Sequence, residues 1–170
     1  MASFESAFQR LMREEGIGLS DHKADKGGQT FAGIARKFHP KWEGWRFVDA
    51  GDTPPTQLVR DFYHQYYWMP VHGDQIQSQP IAEALFSQYV NMGVTAIKLM
   101  QQCLSVVPDG KIGPKTMAAL NRYPEAYLLL LYSLANVRRY HAIGMKDKTQ
   151  RVFWPGWIGR AIRLAEVSDA

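Results

Sequence analysis

Residues 4–34 read FESAFQRLMREEGIGLSDHKADKGGQTFAGI, and the reading of this stretch decides the fold class. Phe4, Phe8, Leu11 and Met12 recur at helical spacing behind Ser3, a side chain suited to capping, so residues 3–15 are expected to form an amphipathic helix. Gly16 and Gly18 stop it. Residues 17–33 are polar and glycine-rich, which predicts a loop or at most a short hairpin, followed by a brief helix over residues 33–38.

An acid stands at the end of the apolar stripe. Successive helical residues rotate by ~100°, which puts Glu15 within ~20° of Phe4 and Phe8, while Glu14 falls ~120° from Phe8. Glu15 is thus the carboxyl group pushed toward apolar neighbours, an environment that raises a carboxyl pKa and suits a general acid working near neutral pH. The same phase is also met by a frayed last turn that reaches water. In the loop that follows, Asp25 offers a second carboxylate, Gly27-Gly28 lets backbone turn tightly beside a ligand, and Thr30 offers a hydroxyl. An acid, a carboxylate and a hydroxyl that together hold a water fit glycoside hydrolysis. Asp21, His22 and Asp25 are alternatively a metal-ligand set, which one His and two Asp in a flexible loop signal weakly.

Outward from this stretch, helix dominates. Pro40, Gly44, Gly51 and Pro54-Pro55 mark irregular chain over residues 39–55. The run TQLVRDFYHQYYW reads as a helix with Thr53 as its cap, and residues 80–104 as helix bent at Gly93. VVPDGKIGP is a turn that places Pro114 at the first position of the next helix. A long apolar helix runs from Glu125 to about His141, and Pro155-Gly156 precede a last helix starting at Trp157. The fold class expected is mainly α.

The chain has 170 residues, of which 46% are hydrophobic and 21% charged, enough for one substantial core or two small lobes. A formal charge of +4 is a weak signal for an anionic partner, and nucleic acid, anionic lipid and bacterial wall polymers all suit it. Its Lys and Arg residues are scattered, with no basic helix or basic–aromatic alternation, so nucleic acid is not an expected partner. The single cysteine, Cys103, excludes an internal disulfide and sits in an apolar run as a small hydrophobe. The longest apolar run, AYLLLLYSLA, falls short of the ~20 residues that span a bilayer, and no secretory signal is visible.

Phe4, Phe8 and Leu11, then Glu15-Gly16, Asp25-Lys26-Gly27-Gly28-Gln29-Thr30 and Gly33-Ile34 resemble the N-terminal signature of the family 108 glycoside hydrolases. These are peptidoglycan-cleaving N-acetylmuramidases of lysozyme-like fold from phages, prophages and bacteria. The resemblance continues through Tyr67-Trp68, Val90-Asn91-Met92-Gly93, Met100-Gln101, the run PDGKIGPKT at 108–116, Arg138, Tyr140 and GWIGR at 156–160. The chain departs from the pattern at Ile17, where the family usually has a second glycine, and at Phe86-Ser87, where it often has an Asp.

The resemblance implies two helical lobes around a cleft, with residues 1–92 as the catalytic muramidase region. Residues 93–170 would be a peptidoglycan-binding-like helical region packed with it into one body. It implies Glu15 as proton donor for cleavage of the β-1,4 bond between N-acetylmuramic acid and N-acetylglucosamine. By similarity to the Glu…Asp…Thr order of phage-type lysozymes, Asp25 and Thr30 would position the attacking water. No metal and no cofactor are required. Tyr66, Trp68, Trp154 and Trp157 are candidates to stack on sugar rings, though each taken singly is more readily read as a core side chain; Tyr66 and Trp68, beside Pro70, are the favoured surface pair, and Asn91 is retained from the family element. Arg36, Lys37 and Lys41 are candidates to meet stem-peptide carboxylates. The expected setting is a monomeric endolysin made in the cytoplasm, released by a holin and acting on periplasmic glycan strands without stable membrane association. The alternative is a non-catalytic wall-binding or secretion-assisting protein using the same cleft.

Overall fold

A computed structural model describes residues 1–15, 19–20 and 29–166, with the backbone alone at 14, 15, 19 and 20. Helix α1 spans Phe4–Glu15 and begins directly after Ser3, whose carbonyl accepts from the Ala7 N–H at 3.3 Å. Its expected stripe is realised, for Phe4, Phe8, Leu11 and Met12 are all buried. Phe4 meets Phe8 and Trp68 at ring separations of 5.6 and 5.7 Å, and Phe8 meets Tyr63 at 6.0 Å. Each such burial contributes roughly 1.5–3 kcal/mol, so the stripe is what docks α1.

A sheet replaces the brief helix expected over 33–38. Strands β1 (Leu19–Ser20), β2 (Thr30–Phe31) and β3 (Ile34–Ala35) pair antiparallel in that order, with Leu19 opposite Phe31, Ser20 opposite Thr30, and Thr30 opposite Ala35. Strand therefore runs two residues past the expected hairpin. The cause is a two-residue turn at Ala32-Gly33, with φ of +46° and +78°, the left-handed pair that matches the twist of a tight hairpin. The Tyr63 hydroxyl donates to the Ala32 carbonyl at 2.9 Å and fixes the tip.

The stretch expected to be irregular contains a short helix, α2 (Trp45–Asp49), anchored by the Trp45 indole donating to the His39 carbonyl at 2.7 Å. Helix α3 (Thr56–Tyr63) starts after Pro55 rather than from a Thr53 cap, because Pro55 already supplies the extended backbone that precedes a first turn. It runs into a π-helical turn over His64–Trp68, closed by the Met69 N–H on the His64 carbonyl.

Residues 3–70 make one compact unit; the other takes Met1–Ala2 and the chain from Val71 onward. The first residues belong to the latter through the Ala2 N–H, which donates to the Ile76 carbonyl at 2.8 Å. In this unit α4 (Gln79–Met92) is capped by Ser78, whose hydroxyl accepts from the Ile81 N–H and donates to Glu125. Gly93, at φ +56°, provides the expected bend into α5 (Val94–Cys103). Helix α6 (Pro114–Leu120) starts on its proline as expected, and α7 (Glu125–Lys146) runs beyond His141. Helix α8 (Trp154–Arg163) begins three residues earlier than expected, since Pro155 lies in the first turn, where a missing N–H breaks no helical bond. Helices α4, α5, α7 and α8 pack on one another, giving the mainly α-helical class expected.

The turn PDGKIGPKT is held from behind by the buried Gln101. Its side-chain amide donates to Asp109, the Lys111 carbonyl and Thr116 at 2.8, 2.9 and 3.2 Å, while its oxygen accepts from the Gly110 N–H at 2.8 Å. This motif is a structural clasp.

Candidate active site

Three of the sequence-derived site residues belong to the stretch that opens the chain. Glu15 closes α1, and its side chain lies outside the described residues. Asp25, together with Asp21, His22 and the Gly27-Gly28 pair, also lies outside them. Thr30 opens β2, half-buried, paired on one side with Ser20 and on the other with Ala35. The strand that carries it is fixed twice. Tyr63 pins the adjacent turn, and the Arg36 N–H donates to the Gln29 carbonyl at 2.9 Å, with its guanidinium on the Gln29 side chain at 2.7 Å.

Tyr66 and Trp68 part company. In continuous α register Tyr66 would follow the buried Phe62 by one turn onto the same face. The wider π turn instead brings Trp68, five residues after Tyr63, fully inside against Phe4, and leaves Tyr66 49% exposed. Trp68 is therefore a core side chain with no surface to offer a sugar, a correction to the expectation. Tyr66 keeps a usable ring face.

That face borders a hollow of about 430 Å³ made by residues 38–42 with Phe62 and Tyr66. The half-buried His39 ring stands edge-on to Phe62 at 4.6 Å and to Tyr66 at 5.6 Å. Burial lowers the His39 pKa below its ordinary value, so the imidazole is neutral at neutral pH. Trp42 stacks on Phe31 of β2 at 6.0 Å, so the hollow leans on the strand that carries Thr30. Sequence reading placed Phe38 at the end of the expected brief helix and residues 39–42 in irregular chain. The available signal was three aromatic rings around Pro40 with no helical or strand period to account for them.

Arg36 does not remain available for carboxylates of a ligand. It holds Asp49 through two hydrogen bonds of 2.6 and 2.5 Å and lies over the Trp45 ring at 5.0 Å. Hydrogen bonding raises the Arg36 pKa and lowers that of Asp49. Lys37 and Lys41 are exposed.

Asn91, near the end of α4, donates to the Ser87 carbonyl at 2.7 Å and accepts from the Arg160 guanidinium of α8. It joins two helices of its own unit. Trp154 and Trp157 are likewise packed: Trp154 covers Gly144 and donates to the Tyr140 carbonyl at 3.0 Å, and Trp157 stacks on Tyr140 at 5.3 Å. Among the described residues no cluster of three or more His, Cys, Asp or Glu is placed to hold a metal ion, and no helix is long and apolar enough to cross a membrane.

The chain belongs to the glycosyl hydrolase 108 family, whose model matches residues 8–93, and it is a glycosyl hydrolase acting on peptidoglycan. A second family model, described as Predicted Peptidoglycan domain, matches residues 95–162. Among solved structures the chain is similar to that of Brucella abortus SagA, with 26% sequence identity, 98% of each chain covered and a TM-score of 0.69. No curated protein matches it.

Proposed function

We propose that this hydrolase cleaves the β-1,4 bond between N-acetylmuramic acid and N-acetylglucosamine. Glu15 gives its proton to the glycosidic oxygen as the bond breaks, and Asp25 with Thr30 holds and polarises the water that attacks the anomeric carbon. The observation that carries this reading is helix α1, which buries Phe4, Phe8, Leu11 and Met12 and ends at Glu15. By helical phase Glu15 follows the positions of that stripe, and a carboxyl group set among apolar neighbours would keep the proton a leaving group requires. Support also comes from Thr30, whose strand is fixed on both edges, and from the family match, which spans Glu15, Asp25 and Thr30 together.

The test is Glu15→Gln, which keeps the shape and removes the proton. Reducing ends released from purified sacculi should fall by at least about 100-fold, the usual worth of a general acid, while the far-ultraviolet spectrum and Tm hold. Undiminished release would reject Glu15. Borohydride reduction of the products identifies the bond: muramitol ends fit this reading, and glucosaminitol ends would replace it with the neighbouring linkage.

A further inference from the structure

We propose that the hollow formed by residues 38–42 with Phe62 and Tyr66 is a saccharide-binding subsite that takes a carboxylate-bearing strand of wall glycan. Among the described residues of 3–70 the exposed large aromatics are Phe38, at 66%, and Tyr66, at 49%, and both line this one depression of about 430 Å³. Side chains of this kind are normally withdrawn from water, so two at one concavity mark a surface kept open for a ligand.

The chemistry of the rim selects the ligand. Flat aromatic faces fit the apolar face of a pyranose. Among the described residues the Tyr66 hydroxyl, the His39 ring nitrogens and the Lys41 ammonium make no hydrogen bond or ion pair with the protein. A purely apolar occupant would strand these three groups, and a purely ionic one would leave the ring faces wet. A sugar satisfies both, stacking on Tyr66 and Phe38 while its hydroxyl and acetamide groups reach His39 and Tyr66. Lys41, with the exposed Lys37 four residues earlier, adds a preference for a strand that carries carboxylates. The aromatic floor is continuous with the sheet, since Trp42 lies on both Phe62 and Phe31 at 6.3 and 6.0 Å. The subsite rests on the reading above that wall glycan is the substrate, and it adds a holding point built from residues other than Glu15, Asp25 and Thr30.

The experiment titrates the full-length protein with tetra-N-acetylchitotetraose, a neutral probe, and with soluble uncross-linked glycan strands bearing lactyl and peptide carboxylates. Ring resonances of Phe38, His39 and Tyr66 should shift saturably with both. Phe38→Ala and Tyr66→Ala should each weaken binding about tenfold, and Lys41→Gln should weaken only the charged strand. Rings unmoved at saturating probe overturn the subsite, as does unaltered affinity in both alanine variants; equal effects of Lys41→Gln on the two probes overturn its charge preference. Reducing-end release from sacculi by the unsubstituted protein, run alongside, separates the two readings. No release rejects the substrate assignment, whereas release with unmoved rings rejects the hollow alone.

Discussion

His39 occupies a position where a positive charge is costly, since its ring is wedged against Phe62 and Tyr66 and partly withdrawn from water. Burial lowers its pKa from the ordinary value of 6.5. As pH falls through that value the unfolded chain takes up a proton that the folded imidazole still refuses, so folding stability declines; above it the term is flat. Denaturant midpoints measured from about pH 8 to about pH 5 should slope downward toward acid, and His39→Gln should flatten that slope. Glu5 and Asp49 have pKa values lowered by hydrogen bonds to Arg60 and Arg36, and their loss sets in only at more acidic pH, as they protonate. At this scale the sequence was informative where a residue's partners are one helical turn away, as for the stripe of Phe4, Phe8, Leu11 and Met12. It was uninformative for Trp68, because an inserted π turn shifts the phase by one residue and no local pattern announces it.

The β2–β3 turn shows how an element can depend on a distant side chain. Gly33 carries φ +78°, and a Cβ there would collide with the Tyr63 hydroxyl that bonds the Ala32 carbonyl. Tyr63→Phe leaves that buried carbonyl without its donor, at a cost of about 1–3 kcal/mol. Gly33→Ala adds backbone strain to the collision. Because the hydroxyl causes part of the second penalty, Gly33→Ala should cost less in the Tyr63→Phe background than alone. A double-mutant cycle by urea unfolding measures this, and strict additivity would show that the contact does not govern the turn. The turn explains why the sheet was missed. Ala-Gly is a poor written signal for a primed turn, and the residue that enforces it lies thirty-one positions away. By contrast, the starts of α6 at Pro114 and of α5 after Gly93 were legible because their determinants are local.

For the whole molecule, the family match and the packing divide the chain at different places. The glycosyl hydrolase 108 match runs to residue 93, yet α4, over Gln79–Met92, packs on α5 and α7 within the unit that starts at Val71. Ile81, Ala82, Leu85 and Phe86 of α4 are buried. A fragment ending at residue 93 would expose these side chains, at roughly 1.5–3 kcal/mol for each large one. It should aggregate or unfold without cooperativity, and a sharp calorimetric transition from that fragment would contradict the expectation. The matched hydrolase span thus draws part of its stability from the region matched as a peptidoglycan domain.

Cys103 closes α5, half-covered, its thiol pKa raised chiefly by burial. With no second sulfhydryl in the chain, alkylation has a single address. A protonated, half-covered sulfur should be alkylated more slowly while its helix is seated than when that helix lifts. Comparing its alkylation rate under native and denaturing conditions would therefore report on α5 without adding a label site.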